Sequence, residues 1–239
     1  MNTTHIETEY LSSFERSIGL IYLCRYQRPG HPGGWVYDVY IDGALLMSSV
    51  SPLSERQLAT LAIAAHKGTG PLRILVGGLG LGYTAQAALE SPRAALVRVV
   101  DRMDFVIEWL QKGLLPLSEQ LNGDERVELT QSDVYADVLG PASETWDLIL
   151  MDVDHSPDSP LDPSSLDFYT PEGQARVSEH LAPGGVLAVW SAHDNDRFAA
   201  VMSKVYPEAW REAIDWTIEH EDDEDQSFHN VLFLARKAP

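Results

Sequence analysis

The chain of 239 residues carries 17 Lys and Arg against 36 Asp and Glu, a formal net charge of −19. That balance disfavours duplex nucleic acid and anionic membrane surfaces, which are gripped through Lys and Arg, and it is compatible with a cationic small molecule. The length fits one large domain, or one with a small appendage. Cys24 is the only cysteine, which leaves no intrachain disulfide and no thiolate cluster, so no metal is expected. The N-terminus is polar and acidic, and no stretch approaches the ~18 apolar residues of a membrane span. The chain reads as cytoplasmic.

From Ser17 to Ser49 the pattern is strand-like, with Ile18, Leu20 and Tyr22 in alternation, a break at Pro29–Gly34, and a turn at Asp42-Gly43. Asp-Gly between alternating apolar runs is a strong hairpin signal and predicts a small antiparallel β-hairpin subdomain over residues 1–53. A helix over Ser54–His66 opens the second unit, residues 54–239. Strands and helices then alternate. Strands are expected at Arg73–Val76, Leu96–Asp101, Arg126–Thr130, Trp146–Asp152 and Val186–Trp190. Helices are expected at Tyr83–Glu90, Asp104–Lys112, Asp167–Leu181 and Asp194–Val205, the third closed by Pro183-Gly184-Gly185. Trp210–Glu219 and Phe228–Ala235 form a closing edge hairpin around the acidic run Glu219–Asp225. This alternation means an α/β fold with a doubly wound, mostly parallel sheet.

The chemistry gathers at predicted strand ends. Gly78, Gly80 and Gly82 lie between a strand and a helix, where glycine lets a ligand approach the backbone closely. The dinucleotide fingerprint requires glycine where Tyr83 stands, which turns the reading from NAD toward S-adenosyl ligands. Asp101 ends the second strand at a distance suited to accept both ribose hydroxyls of an adenosine. Asp133, after the third strand, is either an acceptor for an adenine amine or an ordinary loop aspartate. The fourth strand runs into Asp152-Val153-Asp154-His155-Ser156-Pro157. Two carboxylates and an imidazole there can bind a cationic amine and take its proton. The alternative is loop chemistry that caps the following segment.

The order of motifs is similar to spermidine synthase and its polyamine aminopropyltransferase relatives over most of residues 18–237: an IDG turn, LSERQLATLAIAA, ILVGGLGLG, VRVVDRMDFVIEW, WDLILMDVDHSP and FYTPEGQARVSEHLAPGGVLAVW. The resemblance implies a class I methyltransferase-type fold, and a homodimer built through the N-terminal β region. It implies attack of an amine on the aminopropyl group of decarboxylated S-adenosylmethionine, releasing methylthioadenosine. Asp101 would hold the ribose, Asp133 the adenine amine and Asp152 the amine substrate, with His155 or Asp154 as base. The chain departs from that pattern at informative places. Gly80 replaces the loop aspartate that binds the cofactor's amine, and His155 stands where the last aspartate of D-S-S-D-P would be. Glu55-Arg56 replaces a Tyr-Gln pair. Loss of the loop carboxylate opens the way to intact S-adenosylmethionine, and so to a methyltransferase or an aminocarboxypropyl-chain enzyme. An adenosyl-ligand-binding protein without turnover is the reading from another class.

Overall fold

The Asp42-Gly43 turn joins β3 (Trp35–Ile41) to β4 (Ala44–Ser48), with both residues at positive φ, 49° and 78°. That conformation reverses the chain with the twist the strands require. The computed structural model describes residues 7–28, 31, 33–218 and 225–239. Within them, β1 (Thr8–Arg16) and β2 (Gly19–Gln27) complete an antiparallel sheet in the order β1-β2-β3-β4. The sequence reading leaves β1 out, because this edge strand is largely exposed and lacks apolar alternation. It also selects the wrong face of β2. Ile18 lies in the turn and Leu20 points to solvent, whereas Ile21 and Leu23 are buried. The Asp42 side chain fixes this register, since its carboxylate accepts the Leu20 N–H at 2.8 Å and fills the space beside Gly19.

Helix α1 (Leu53–Ala65) packs Leu58, Ala59 and Ala62 into one cluster with Ile21, Leu23 and Val39. The two units proposed from the sequence therefore share a core. The main sheet comprises β5 (Leu72–Gly77), β6 (Ala94–Asp101), β7 (Val127–Gln131), β8 (Trp146–Met151), β9 (Leu181–Ser191), β10 (Glu208–Ile218) and β11 (Gln226–Arg236). Its order is β10-β11-β9-β8-β5-β6-β7, parallel from β9 to β7, with β11 antiparallel to both its neighbours. Alternate residues serve opposite faces. Ile74, Val76, Leu148 and Leu150 pack toward α1, α2 (Tyr83–Leu89) and α3 (Asp104–Gln111). Leu75, Ile149 and Met151 pack toward α5 (Val134–Leu139), α6 (Pro171–Glu179) and α7 (Asp196–Val205), α4 (Ser118–Gly123) lying on the first side. Both faces are covered, as a doubly wound sheet requires.

Two helices escape the sequence reading, α4 and α5, because six residues are too few to display a helical period. The single helix expected over Asp167–Leu181 is two elements, a 3-10 helix at Pro163–Tyr169 and then α6. Thr170 separates them by accepting the Gly173 N–H on its hydroxyl at 3.0 Å, with Pro171 as first helical residue. Pro183-Gly184-Gly185 lies inside β9 rather than closing a helix. The break at Pro29–Gly34 falls partly, and the acidic run Glu219–Asp225 almost wholly, outside the described residues. Among the described residues no helix is long and apolar enough to cross a membrane.

Candidate active site

From β5 the chain winds outward through β6 to β7 and then returns to β8 on the other side of β5. The direction of winding reverses there, and a crevice opens beyond the carboxyl ends of β5 and β8. The glycine loop follows β5 and Asp152 follows β8, so the topology brings both to the crevice. The three glycines do different work. A Cβ on Gly78, at φ 89°, would lie 2.2 Å from the Asp152 carbonyl oxygen, and one on Gly82, at φ 95°, 2.7 Å from Leu121 Cδ1. Both are required by the packing of the loop itself. At Gly80, φ 51°, a Cβ would meet only Met47 Sδ, at 3.7 Å, an ordinary van der Waals distance. Gly78→Ala is accordingly expected to cost about 2 kcal/mol or more and Gly80→Ala about 1 kcal/mol. Urea denaturation checks the difference, and equal costs would contradict it.

Asp101 builds the loop before it can serve a ligand. Its Oδ2 accepts the Leu79 N–H and its Oδ1 the Met103 N–H, each at 2.7 Å. Burial pushes its carboxyl above the usual range, against the pull of these N–H groups. The Gly80 N–H also acts on this carboxylate, so three loop N–H groups leave one of its four acceptor sites for a ribose hydroxyl. Asp133 is the N-cap of α5, where its Oδ1 accepts the N–H groups of Tyr135 at 3.0 Å and Ala136 at 3.3 Å. Its Oδ2 lies 3.9 Å from the Arg102 guanidinium.

Asp152 sits half-buried on the α1 side of the sheet, where Thr84 Oγ1 donates to its Oδ2 at 2.7 Å. The same hydroxyl lies 3.3 Å from the backbone oxygen of Glu55, and the Glu55 carboxylate accepts from Ser54 Oγ at 2.8 Å. Burial and the facing Asp152 push Glu55 up to about 7, and burial pushes Asp152 up to about 6. Tyr83, hydrogen-bonded to Ser49 of the N-terminal segment, borders the pair, and burial raises its phenol. Carboxyls raised on folding keep protons that the unfolded chain has released. Stability therefore falls as pH rises from about 4 through about 7. His66, lowered by burial and by Arg93, acts in the opposite sense, so a control is needed. In Asp152→Asn the fall between about pH 5 and about pH 7.5 should be shallower in denaturation experiments, and an unchanged slope would contradict the pairing.

Asp154 is a correction to the sequence reading. It is buried, 4% exposed, and takes hydrogen bonds from Tyr135 Oη (2.7 Å), Ser165 Oγ (2.9 Å), Tyr169 Oη (2.9 Å) and the Leu161 N–H (2.8 Å). A carboxylate so engaged anchors the segment after β8 and is not free to act as a base. His155 is exposed at the lip, with its ring 6.4 Å from those of both Trp190 and His193. Its carbonyl accepts the Ala192 N–H at 2.9 Å, which ties the lip to the end of β9. His193 hydrogen-bonds Asp158 at 3.0 Å. Sequence reasoning noted Glu55 only as a departure from a resemblance. Nothing local to α1 announces that the fold sets it against Asp152.

These features define an α/β protein of class I methyltransferase type with an added N-terminal antiparallel sheet. Two spermidine synthase structures share the fold, one in complex with the transition-state analogue AdoDATO and the other from Thermotoga maritima. They match with TM-scores of 0.71 and 0.70 at 18% identity, each over 98% of this chain and 75% of that one. No family model matches the chain. Putrescine N-methyltransferase 2 of Nicotiana tabacum is 31% identical over 117 residues, 49% of this chain and 31% of that protein. Its counterpart in Nicotiana attenuata is also 31% identical over 117 residues. The match thus spans about a third of the length of these curated relatives. The chain is similar in fold to spermidine synthases along nearly its whole length, and in sequence to putrescine N-methyltransferases over about half of it.

Proposed function

We propose that the chain is an alkyltransferase that moves a group from an S-adenosyl sulfonium to a cationic amine. One observation carries this reading: the glycine loop after β5 and the Asp152 carboxylate after β8 meet at neighbouring strand ends, with Gly78 against the Asp152 carbonyl. An adenosyl donor fits the residues present, because Gly80 has room for a side-chain-sized group beside Met47 and Asp101 presents an acceptor at the end of β6 for a ribose hydroxyl. Asp101 and Asp133 would hold the nucleoside, Asp152 the ammonium, and His155 would receive the ammonium proton. The donor, when bound, supplies an electrophilic carbon whose bond to sulfur breaks with the electron pair, leaving a neutral thioether.

The transferred group is an aminopropyl unit from decarboxylated S-adenosylmethionine in the reading that likeness to spermidine synthases supports. A second reading, methyl transfer from intact S-adenosylmethionine, draws support from Gly80 and from the relatives named putrescine N-methyltransferase. A loop carboxylate repels a carboxylated tail, and two unit charges ~4 Å apart at an effective dielectric of ~20 interact by about 4 kcal/mol. Gly80→Asp, at a backbone conformation aspartate tolerates, is expected to shift donor preference toward the decarboxylated form by about tenfold or more. Competition between the two donors, read by mass spectrometry, checks it. An unchanged ratio would remove Gly80 from the tail site. Calorimetry with methylthioadenosine, S-adenosylmethionine and NAD tests the class as a whole. Binding of NAD alone would overturn it.

A further inference from the structure

At the amino ends of β5 and β8, away from the crevice, the end of α1 meets the main sheet around one imidazole. His66 is the C-cap of α1, and its side chain is only 10% exposed. Its Nδ1 lies 2.9 Å from Arg93 Nη2 and its Nε2 3.8 Å from Asp147 Oδ1. The chain after α1 wraps the ring closely, since a Cβ on Gly68 would lie 2.7 Å from His66 Cε1. Arg93, just before β6, also donates from Nε to the Gly70 carbonyl at 3.0 Å, and its own carbonyl accepts the Leu72 N–H at 2.7 Å. Asp147 Oδ2 accepts the Arg73 N–H at 2.8 Å. Arg236 of β11 faces the same end of α1, donating from Nη2 to the Ala65 carbonyl at 2.6 Å, and pairs with Glu208. Lys67 pairs with Glu208 as well, at 3.0 Å.

A guanidinium has hydrogens to give and no lone pair to offer, so the 2.9 Å contact requires a bare Nδ1 on His66. The ring is then neutral, with its one proton on Nε2 toward Asp147. An imidazole at a helix C-terminus ordinarily gains from being charged. Here burial first, then Arg93, and least Arg236 hold the ring below its usual range, against Asp147 and the Gly68 backbone.

We infer that His66 is an acid-sensitive latch, closed while Nδ1 accepts from Arg93 and released when a proton takes that lone pair. A proton on Nδ1 sets two donors and two positive charges against each other, so Arg93 is expelled and the charged ring is drawn to Asp147. The tie between α1, the Gly70 segment and the start of β6 goes with it. Leu58, Ala59 and Ala62 of the same helix pack on Ile21, Leu23 and Val39, so acid loosens the mount of the N-terminal sheet. An opened ring protonates near the ordinary value of ~6.5 and the closed ring only below it. Closure is therefore at full strength above about pH 6.5 and is lost as pH falls through the lower value of the closed ring. The latch lies outside the crevice and holds whatever group the chain transfers.

The test uses the whole chain. Long-range proton–nitrogen NMR, with His66 identified by the resonance lost in His66→Asn, should place its proton on Nε2 and show a titration below about 6.5. Hydrogen exchange at about pH 7.5 and about pH 5.5, corrected for its intrinsic pH dependence, reads the opening of the Leu72 and Arg73 amides. In the parent, opening should rise by up to about tenfold per pH unit between the two ring values. His66→Asn offers Arg93 a side-chain carbonyl that no proton occupies in this range, so its opening should stay level. Arg93→Gln removes the guanidinium and should move the His66 titration up. A proton on Nδ1 at neutral pH, a titration at or above the ordinary value, or an equal acid response in His66→Asn overturns the inference. So does an unmoved titration in Arg93→Gln.

Discussion

His155→Ala is expected to slow the chemical step with an amine acceptor by about 10²- to 10⁴-fold, the usual span for removing a general base. Nucleoside binding should persist, because among the described residues the ring contacts of the imidazole are with Trp190 and His193 and not with the glycine loop. The side chain is exposed at the cleft lip, against the rings of Trp190 and His193. Its removal should therefore cost little stability, and the loss should appear in kcat rather than in adenosyl affinity. Single-turnover measurements with preloaded donor separate the two. Parental activity in the variant would pass the proton to Asp152, Glu55 or water.

Asp154→Ala is expected to act in the opposite register, on stability. Four donors converge on that buried carboxylate, and truncation leaves them facing each other in the interior. Each buried donor left without an acceptor costs about 1–3 kcal/mol, and with relaxation of the four a total of roughly 3–5 kcal/mol is expected. For a chain of this length each kcal/mol moves the melting temperature by about 2–4 °C, so a fall of about 6–20 °C is anticipated. Burial and Asp154 hold Tyr135 and Tyr169 well above the usual phenol range, so their hydroxyls stay donors throughout the working pH range. A melting temperature within a degree or two of the parent would show that the cluster is not load-sharing and would return Asp154 to the list of candidate bases.

Much of the fold is legible in the sequence because its strands are buried on both faces and punctuated by glycine and proline. ILV and LILM are continuous apolar runs and LVRVV is interrupted only by Arg98, and each lies in a parallel strand. What escaped was short or exposed. Strand β1 has no apolar face to betray it, and α4 and α5 end before a helical period can repeat. The turn at Ser17-Ile18 and Gly19, pinned by an aspartate side chain from the next hairpin, reversed the face that alternation assigned to β2. The candidate site divides in the same way. Its position at the strand ends follows from the alternation of strands and helices, and the sparse contact at Gly80, with Met47 alone beside it, agrees with a ligand loop. The division of labour within DVDHSP does not follow, since no spacing rule distinguishes a carboxylate that faces Glu55 from one sealed beneath two tyrosines.

The central claim, transfer of an alkyl group from an adenosyl sulfonium to an amine, is tested most directly by its products. The chain is incubated with decarboxylated or intact S-adenosylmethionine, each with 1,4-diaminobutane and without it, and the mixture is resolved by mass spectrometry. The account predicts an amine-dependent adenosyl thioether formed one for one with an alkylated diamine. Methylthioadenosine would mark aminopropyl transfer and S-adenosylhomocysteine methyl transfer. Thioether released equally without amine, or no thioether from either donor, would contradict it.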